Sequence, residues 1–152
     1  MTEEKTAIQL CGTERPDKYG RLRAAAFSGE PRNDPRKPED DVIHVKELLE
    51  SRQAYGLEYA TDGRAAGFVP GASMLFHYGR TFGINDLAVD PAYQKKGTAK
   101  KLMKALLSDP GKQGIAGVHL ITAADAFPPE VCERFGFQEE KRVILMGKDL
   151  GR

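Results

Sequence analysis

The sequence predicts a single mixed α/β domain: a central, mostly antiparallel twisted sheet with helices on both faces. Three observations predict it. Between Leu57 and Val89, half-apolar segments are separated by two turn signals, Asp62-Gly63 and Gly79-Arg80, which reads as an antiparallel meander. Segments with helical spacing of apolar residues lie before and after that meander. The 152 residues contain no internal repeat, low-complexity tract or second core, so one layer of sheet with helices packed on it is the simplest architecture.

The elements follow in order. Thr6–Cys11 reads as a first strand. Asp17–Phe27 reads as a helix, with Tyr19, Leu22, Ala26 and Phe27 near one face. Residues 28–38, rich in Pro, Gly, Asn, Asp and Arg, read as a loop. Pro38-Glu39-Asp40-Asp41 opens a second helix, acidic where the helix dipole is positive, and Val42, Val45, Leu48 and Leu49 form its apolar stripe. The meander comprises Leu57–Thr61, Ala65–Tyr78 and Thr81–Val89. Pro70 and Gly71 interrupt its middle strand, which suggests a bulge or an irregular edge. Gly97–Ser108 reads as a helix with Ala99, Leu102, Met103 and Leu106 inward and Lys100, Lys101 and Lys104 outward; Asp109-Pro110-Gly111 ends it. Val118–Thr122 is a short apolar run, expected to be buried on both faces. Pro128–Arg134 is a short helix, and Phe137–Gln138 and Val143–Met146 are expected to close the sheet.

Composition narrows function. Apolar residues make up 40% and charged residues 30%, with 23 basic against 22 acidic side chains. A net charge of +1 argues against a nucleic-acid binder with a broad basic face. No apolar run approaches the roughly 20 residues of a membrane helix, and the start of the chain has no apolar signal core. Cys11 and Cys132 are too few for a disulfide framework, so a reducing, cytoplasmic setting is expected. His44, His77 and His119 are scattered, and no metal-ligand spacing is present.

The stretch from Ile84 to Met103 carries the most chemistry. A strand, a turn at Pro91, a basic loop with one glycine, and a helix follow one another. Gly97 lets a ligand approach the backbone closely. Free N–H groups at the helix start form an anion nest, and Lys95, Lys96, Lys100 and Lys101 add positive charge around it. The same loop is also compatible with a solvated turn opening a helix. Neither a P-loop nor a dinucleotide-binding glycine pattern is present.

Asp86-Leu87-Ala88-Val89-Asp90-Pro91-Ala92-Tyr93, then Gln94-x-x-Gly97-x-Ala99, then Glu133-Arg134-Phe135-Gly136-Phe137, resembles the GCN5-related N-acetyltransferases, the GNAT superfamily. The resemblance covers roughly Leu57 to Leu150; before that only the order of elements matches. It implies a single acyl-CoA-binding domain over residues 1–152, with a V-shaped split between the fourth and fifth strands, here Thr81–Val89 and Val118–Thr122. It implies acetyl-CoA as cosubstrate and direct acyl transfer to a small-molecule or peptide amine, with no role for nucleic acid or membrane. Dimers are frequent among the proteins it resembles, so a homodimer is compatible with it. Main-chain groups of Leu87, Ala88 and Val89 would pair with the pantetheine arm. Gln94, Lys95, Lys96, Gly97, Thr98, Ala99 and Lys100 would form the pyrophosphate loop. Asp125 and Phe127 would lie near the cofactor arm, or cap a helix and fill core respectively.

The chain departs from the family pattern at two places. Asn85 stands where many members carry a glutamate base on the fourth strand, and an amide takes no proton at neutral pH. Cys132 stands where many carry a tyrosine acid; it either protonates the departing thiolate or is a small buried apolar residue. Asp86 and His77 are the remaining candidates for proton chemistry, with ion pairing and plain exposure as their ordinary roles. Tyr55 and Tyr59 are acceptor-cleft candidates or ordinary strand aromatics, and Cys11 is expected in the core. An enzyme is the leading expectation. The rival is an acyl-CoA-binding or interaction module with weak or no turnover, and an RNA-associated protein using the lysines from Lys95 to Lys104 is a third.

Overall fold

A computed structural model describes residues 6–29, 35–108, 114–122 and 132–151. Among the described residues, six strands and three helices follow in the order β1 (Thr6–Leu10), α1 (Pro16–Ser28), α2 (Pro38–Leu49), β2 (Ala54–Thr61), β3 (Arg64–Phe76), β4 (Gly79–Ile84), β5 (Ala88–Val89), α3 (Thr98–Ser108) and β6 (Ile115–Leu120). The sheet order is β1-β2-β3-β4-β6, with β5 pairing back onto β3. All ladders are antiparallel except β4 with β6. Asp62 and Gly63 both have positive φ, the conformation that a two-residue hairpin between β2 and β3 requires.

Helices cover both faces. On one face, Tyr19, Leu22, Ala26 and Phe27 of α1 and Val45 and Leu49 of α2 enclose Phe68 and Ala88. On the other, Leu102, Met103 and Leu106 of α3 pack on Leu57, Val69, Phe82 and Ile84. Phe68 and Val69 belong to opposite cores because successive strand residues face opposite ways. The helices α1 and α2 cross at Gly20, where a Cβ would stand 2.5 Å from the Val42 Cα.

A buried polar group joins β2 to α1. Glu58 accepts hydrogen bonds from Tyr19 Oη at 2.9 Å and Gln9 Nε2 at 3.0 Å, and its second oxygen pairs with Lys18 Nζ at 3.2 Å. Cys11 lies against the same core, and burial, reinforced by the nearby Glu58 charge, pushes its thiol up to about 12. The folded thiol therefore stays neutral while an unfolded one ionises above about 8.5. Its stabilising effect is complete below that value and falls as pH rises toward 12, by at most about 1.4 kcal/mol per pH unit. The Tm advantage of the unmodified protein over Cys11→Ala is accordingly expected to narrow between pH 8 and pH 10. A constant difference would show that the thiol is not held neutral.

Several sequence expectations are corrected. The expected strand Thr81–Val89 is two strands, β4 and β5, because a bulge intervenes. The Pro70-Gly71 interruption does not break β3, which continues through it; the extra residue falls on the partner strand. Val118–Thr122 is not buried on both faces: His119, Ile121 and Thr122 are exposed and Val118 and Leu120 only half-buried, and among the described residues β4 is the only strand paired with β6. Phe137–Gln138 and Val143–Met146 form no strand, and Val143, Ile144, Leu145 and Met146 are exposed. A strand needs an edge to pair with; here the backbone turns locally instead, the Val143 N–H donating to the Glu140 carbonyl at 3.3 Å. The expected helix Pro128–Arg134 falls largely outside the described residues, as does Asp109-Pro110-Gly111.

Candidate functional site

The site is built around a bulge. Gly71 pairs with Ile84 and Phe68 with Ala88, so Asn85, Asp86 and Leu87 face only Val69 and Pro70. The N–H groups of Asn85 and Asp86 both point at the Pro70 carbonyl, at 2.9 and 3.5 Å. A bulge of this kind re-aims side chains and increases local twist. The parallel ladder between β4 and β6 ends at Ile84–Leu120, before the bulge. Past that point, among the described residues, β5 pairs only with β3. Its other edge, from Leu87 to Val89, has no partner strand among the described residues, a split at the place the resemblance implies. An extended ligand can add to such an edge through main-chain hydrogen bonds.

The chain then turns into a left-handed loop. Asp90 accepts a hydrogen bond from the Ala92 N–H at 2.9 Å, closing a 3-10 turn over Pro91–Tyr93. Gln94 Nε2 donates to the Val89 carbonyl at 3.0 Å, tying the loop to β5. Thr98 Oγ1 donates to the Tyr93 carbonyl at 3.2 Å and anchors the first residue of α3. Lys95 and Gly97 have φ of 63° and 81°. Two left-handed residues close together turn successive N–H groups to one side, the geometry of an anion nest. For Lys95 that backbone is costly, and strain of this kind concentrates at binding sites. A Cβ on Gly97 would meet nothing within 4 Å, so the space over the loop is open. The first-turn N–H groups of α3 add their unpaired donors and the positive helix end. Lys96 Nζ lies over the Tyr93 ring and Lys101 Nζ over the Tyr59 ring. The sheet edge and the left-handed loop are thus contiguous.

On the opposite face of the bulge, charge is buried. Asp86, 8% exposed, accepts from Arg23 Nε at 3.0 Å and lies 3.2 Å from His44 Nε2. Arg23 also binds Asp41, which pairs with Arg36 at 3.5 Å. Both guanidiniums stack on the Phe27 ring, at 5.2 and 5.3 Å. Asn85 Nδ2 is 3.2 Å from His44 Nε2.

Of the sequence candidates, Asn85 and Asp86 come together at the bulge beside Leu87–Val89 and the loop Gln94–Lys100. Asp86 faces α1 and α2, whereas Leu87 packs toward α3. His77 does not join them. It lies exposed in the β3–β4 turn, its ring against Tyr78, about 20 Å along β4 from the bulge at ~3.3 Å per residue. Cys132 is buried, and its carbonyl accepts from the N–H groups of Phe135 and Phe137. Burial, with Glu133 nearby, raises its thiol above the ordinary range, so it stays protonated. Tyr55 and Tyr59 pack against the α3-side core as strand aromatics. Asp125 and Phe127 lie outside the described residues. Sequence reading missed Arg23 and His44. The available signal was Asp41, which repeats with Val45 and Leu49 at helical spacing and is buried with them. By sequence it reads only as part of the acidic helix start.

A family model described as the acetyltransferase (GNAT) family matches residues 19–137. Among solved structures, a possible acetyltransferase from Clostridium difficile 630 superposes with a TM-score of 0.80 at 15% identity, covering 95% of this chain and 98% of that one. A ribosomal-protein-alanine N-acetyltransferase from Brucella melitensis biovar Abortus 2308 gives 0.73 at 17% identity, covering 95% and 100%. An aminoglycoside N-acetyltransferase in complex with CoA gives 0.70 at 20% identity, covering 97% of each chain. At these identities the likeness is one of fold. No curated protein sequence matches the chain.

Proposed function

The chain belongs to the GNAT acetyltransferase family, and on that premise we propose that it is a single acyl-CoA-binding domain that transfers an acetyl group from acetyl-CoA directly to a small-molecule or peptide amine. The observation that carries this reading is the contiguity of the open sheet edge at Leu87–Val89 with the left-handed loop at Lys95–Gly97. The edge would hold the pantetheine arm, the N–H groups from Lys95 to Ala99 would hold the pyrophosphate, and Lys100 stands exposed beside them. When bound, acetyl-CoA supplies an activated thioester. What the chain supplies is position: it holds the arm against β5, and the bulge directs Asn85 and Asp86 to the acceptor side. Placement of this kind is a large part of catalysis of bimolecular transfers. The two cysteines, both free, are in keeping with a reducing cytoplasmic setting. An aminoglycoside N-acetyltransferase in complex with CoA and an aminoglycoside acetyltransferase in complex with sisomicin have the same fold and support this reading.

The test has two arms. Calorimetry with CoA and acetyl-CoA is expected to show binding. Thiol release from acetyl-CoA across a panel of primary amines is expected to identify at least one acceptor. No binding at millimolar CoA would overturn the proposal. Binding without thiol release for any amine would favour the non-catalytic acyl-CoA-binding module instead, whose motivation is the absence of the usual base and acid at Asn85 and Cys132.

A further inference from the structure

We propose that His44 is the proton acceptor for the incoming amine and that Asp86 positions it; this rests on the acetyl-transfer reading above. His44 Nε2 lies 3.2 Å from Asp86 Oδ2 and 3.2 Å from Asn85 Nδ2. It cannot serve both with one lone pair. Asp86 is ion-paired with Arg23 and accepts only. An Nε2 lone pair would face a carboxylate lone pair, whereas an Nε2–H donates to it. Asn85 Nδ2 has its own acceptor in Asp86 Oδ2 at 3.5 Å. The tautomer is therefore Nε2–H, and Nδ1 carries the lone pair. A base oriented from behind by a carboxylate is the arrangement of nucleophilic and acid–base sites generally.

Exposure and placement agree with that role. The His44 side chain is 39% exposed while Asp86 behind it is buried, so the imidazole is reachable and its support is not. Asp86 immediately precedes the open edge at Leu87. The charges around the pair are Arg23 from α1, Asp41 from α2, Arg36 before α2 and Asp86 from the bulge.

The step balances as follows. An ammonium acceptor gives one proton to His44 Nδ1. The freed nitrogen lone pair attacks the thioester carbonyl carbon, so a C–N bond forms and the C–S bond breaks. The nitrogen's excess proton goes to the departing thiolate. The products are the N-acetylated amine and CoA thiol, and His44 returns its proton to water.

The experiment combines kcat/KM against pH, calorimetric CoA affinity and imidazole 15N NMR for the unmodified protein, His44→Gln and Asp86→Asn. His44→Gln is expected to lose about 100-fold in kcat/KM and the histidine limb of the pH profile, with CoA affinity unchanged. NMR is expected to show Nε2–H in the unmodified protein, and Asp86→Asn is expected to lose that preference. Loss of CoA binding by the unmodified protein would overturn the acetyl-transfer reading itself. With CoA bound, either of two results overturns the His44 assignment alone: unchanged kcat/KM and pH profile in His44→Gln, or an Nδ1–H tautomer; no amine acetylated by the unmodified protein would overturn the acetyl-transfer reading together with it.

Discussion

Gly71→Ala is expected to lower the Tm by roughly 10 °C, the equivalent of about 3 kcal/mol in a domain of this size. A Cβ at residue 71 would stand 2.1 Å from the Gly83 carbonyl oxygen and 2.7 Å from Phe82 Cζ. The first obstacle is backbone, which cannot rotate away as a side chain can. Relief requires β3 and β4 to separate at the Gly71–Ile84 pair, and that pair is the last before the bulge. The damage therefore reaches Asn85 and Asp86, and CoA affinity is expected to fall together with stability. Gly117→Ala is the control: a Cβ there meets nothing within 4 Å, so its melting temperature is expected to stay within a degree or two, as for an unobstructed surface change. Equal melting temperatures for the two variants in a thermal scan would show that the β3–β4 contact at Gly71 is not tight.

Gly97→Glu is expected to weaken CoA binding by about 100-fold, or ~2.8 kcal/mol at 1.4 kcal/mol per decade, while the protein stays folded. No protein atom lies within 4 Å of the new Cβ, so packing is untouched. The backbone at φ 81° adds a modest penalty of about 1–2 kcal/mol for a side-chain-bearing residue. The loss in affinity comes from charge: a carboxylate would stand over the N–H groups and lysines that the phosphates need. Gly97→Asn separates the two effects, because asparagine tolerates left-handed backbone and carries no charge. Calorimetry should place it between the parent and the glutamate variant. A folded Gly97→Glu protein that binds CoA as tightly as the parent would mean that the phosphates lie elsewhere.

Much of the loop conformation at Lys95–Ala99 was legible because its signals are local. A proline turn, a single glycine and a run of lysines at a helix start specify backbone conformation within about ten residues, and Lys95–Ala99 adopts the form they imply. The turn at Asp62-Gly63 and the apolar stripe of α3 were legible for the same reason. The bulge was half legible. Pro70 signalled an irregularity, but proline lacks only a donor; its carbonyl still accepts, and it draws two N–H groups from the opposite strand. The extra residue was thus displaced onto Asn85–Asp86. The tail at Val143–Met146 shows the converse limit, since β-propensity makes a strand only where an edge pairs with it.

By itself the sequence determined the order of the elements, the two-faced sheet, the nest at Gly97 and, through its motifs, the family. Only the tertiary structure decided where the polar chemistry converges. Arg23 and Asp86 are 63 positions apart, and His44 and Asp86 are 42 apart. Their sequence neighbourhoods read as ordinary charged helix surface. Charge is buried only when packing supplies an opposite partner, and α1 and α2 supply Arg23 and His44 only once they have docked on the bulged face of the sheet. That docking turns Asp86 from a strand acid of ambiguous role into the support of an accessible imidazole.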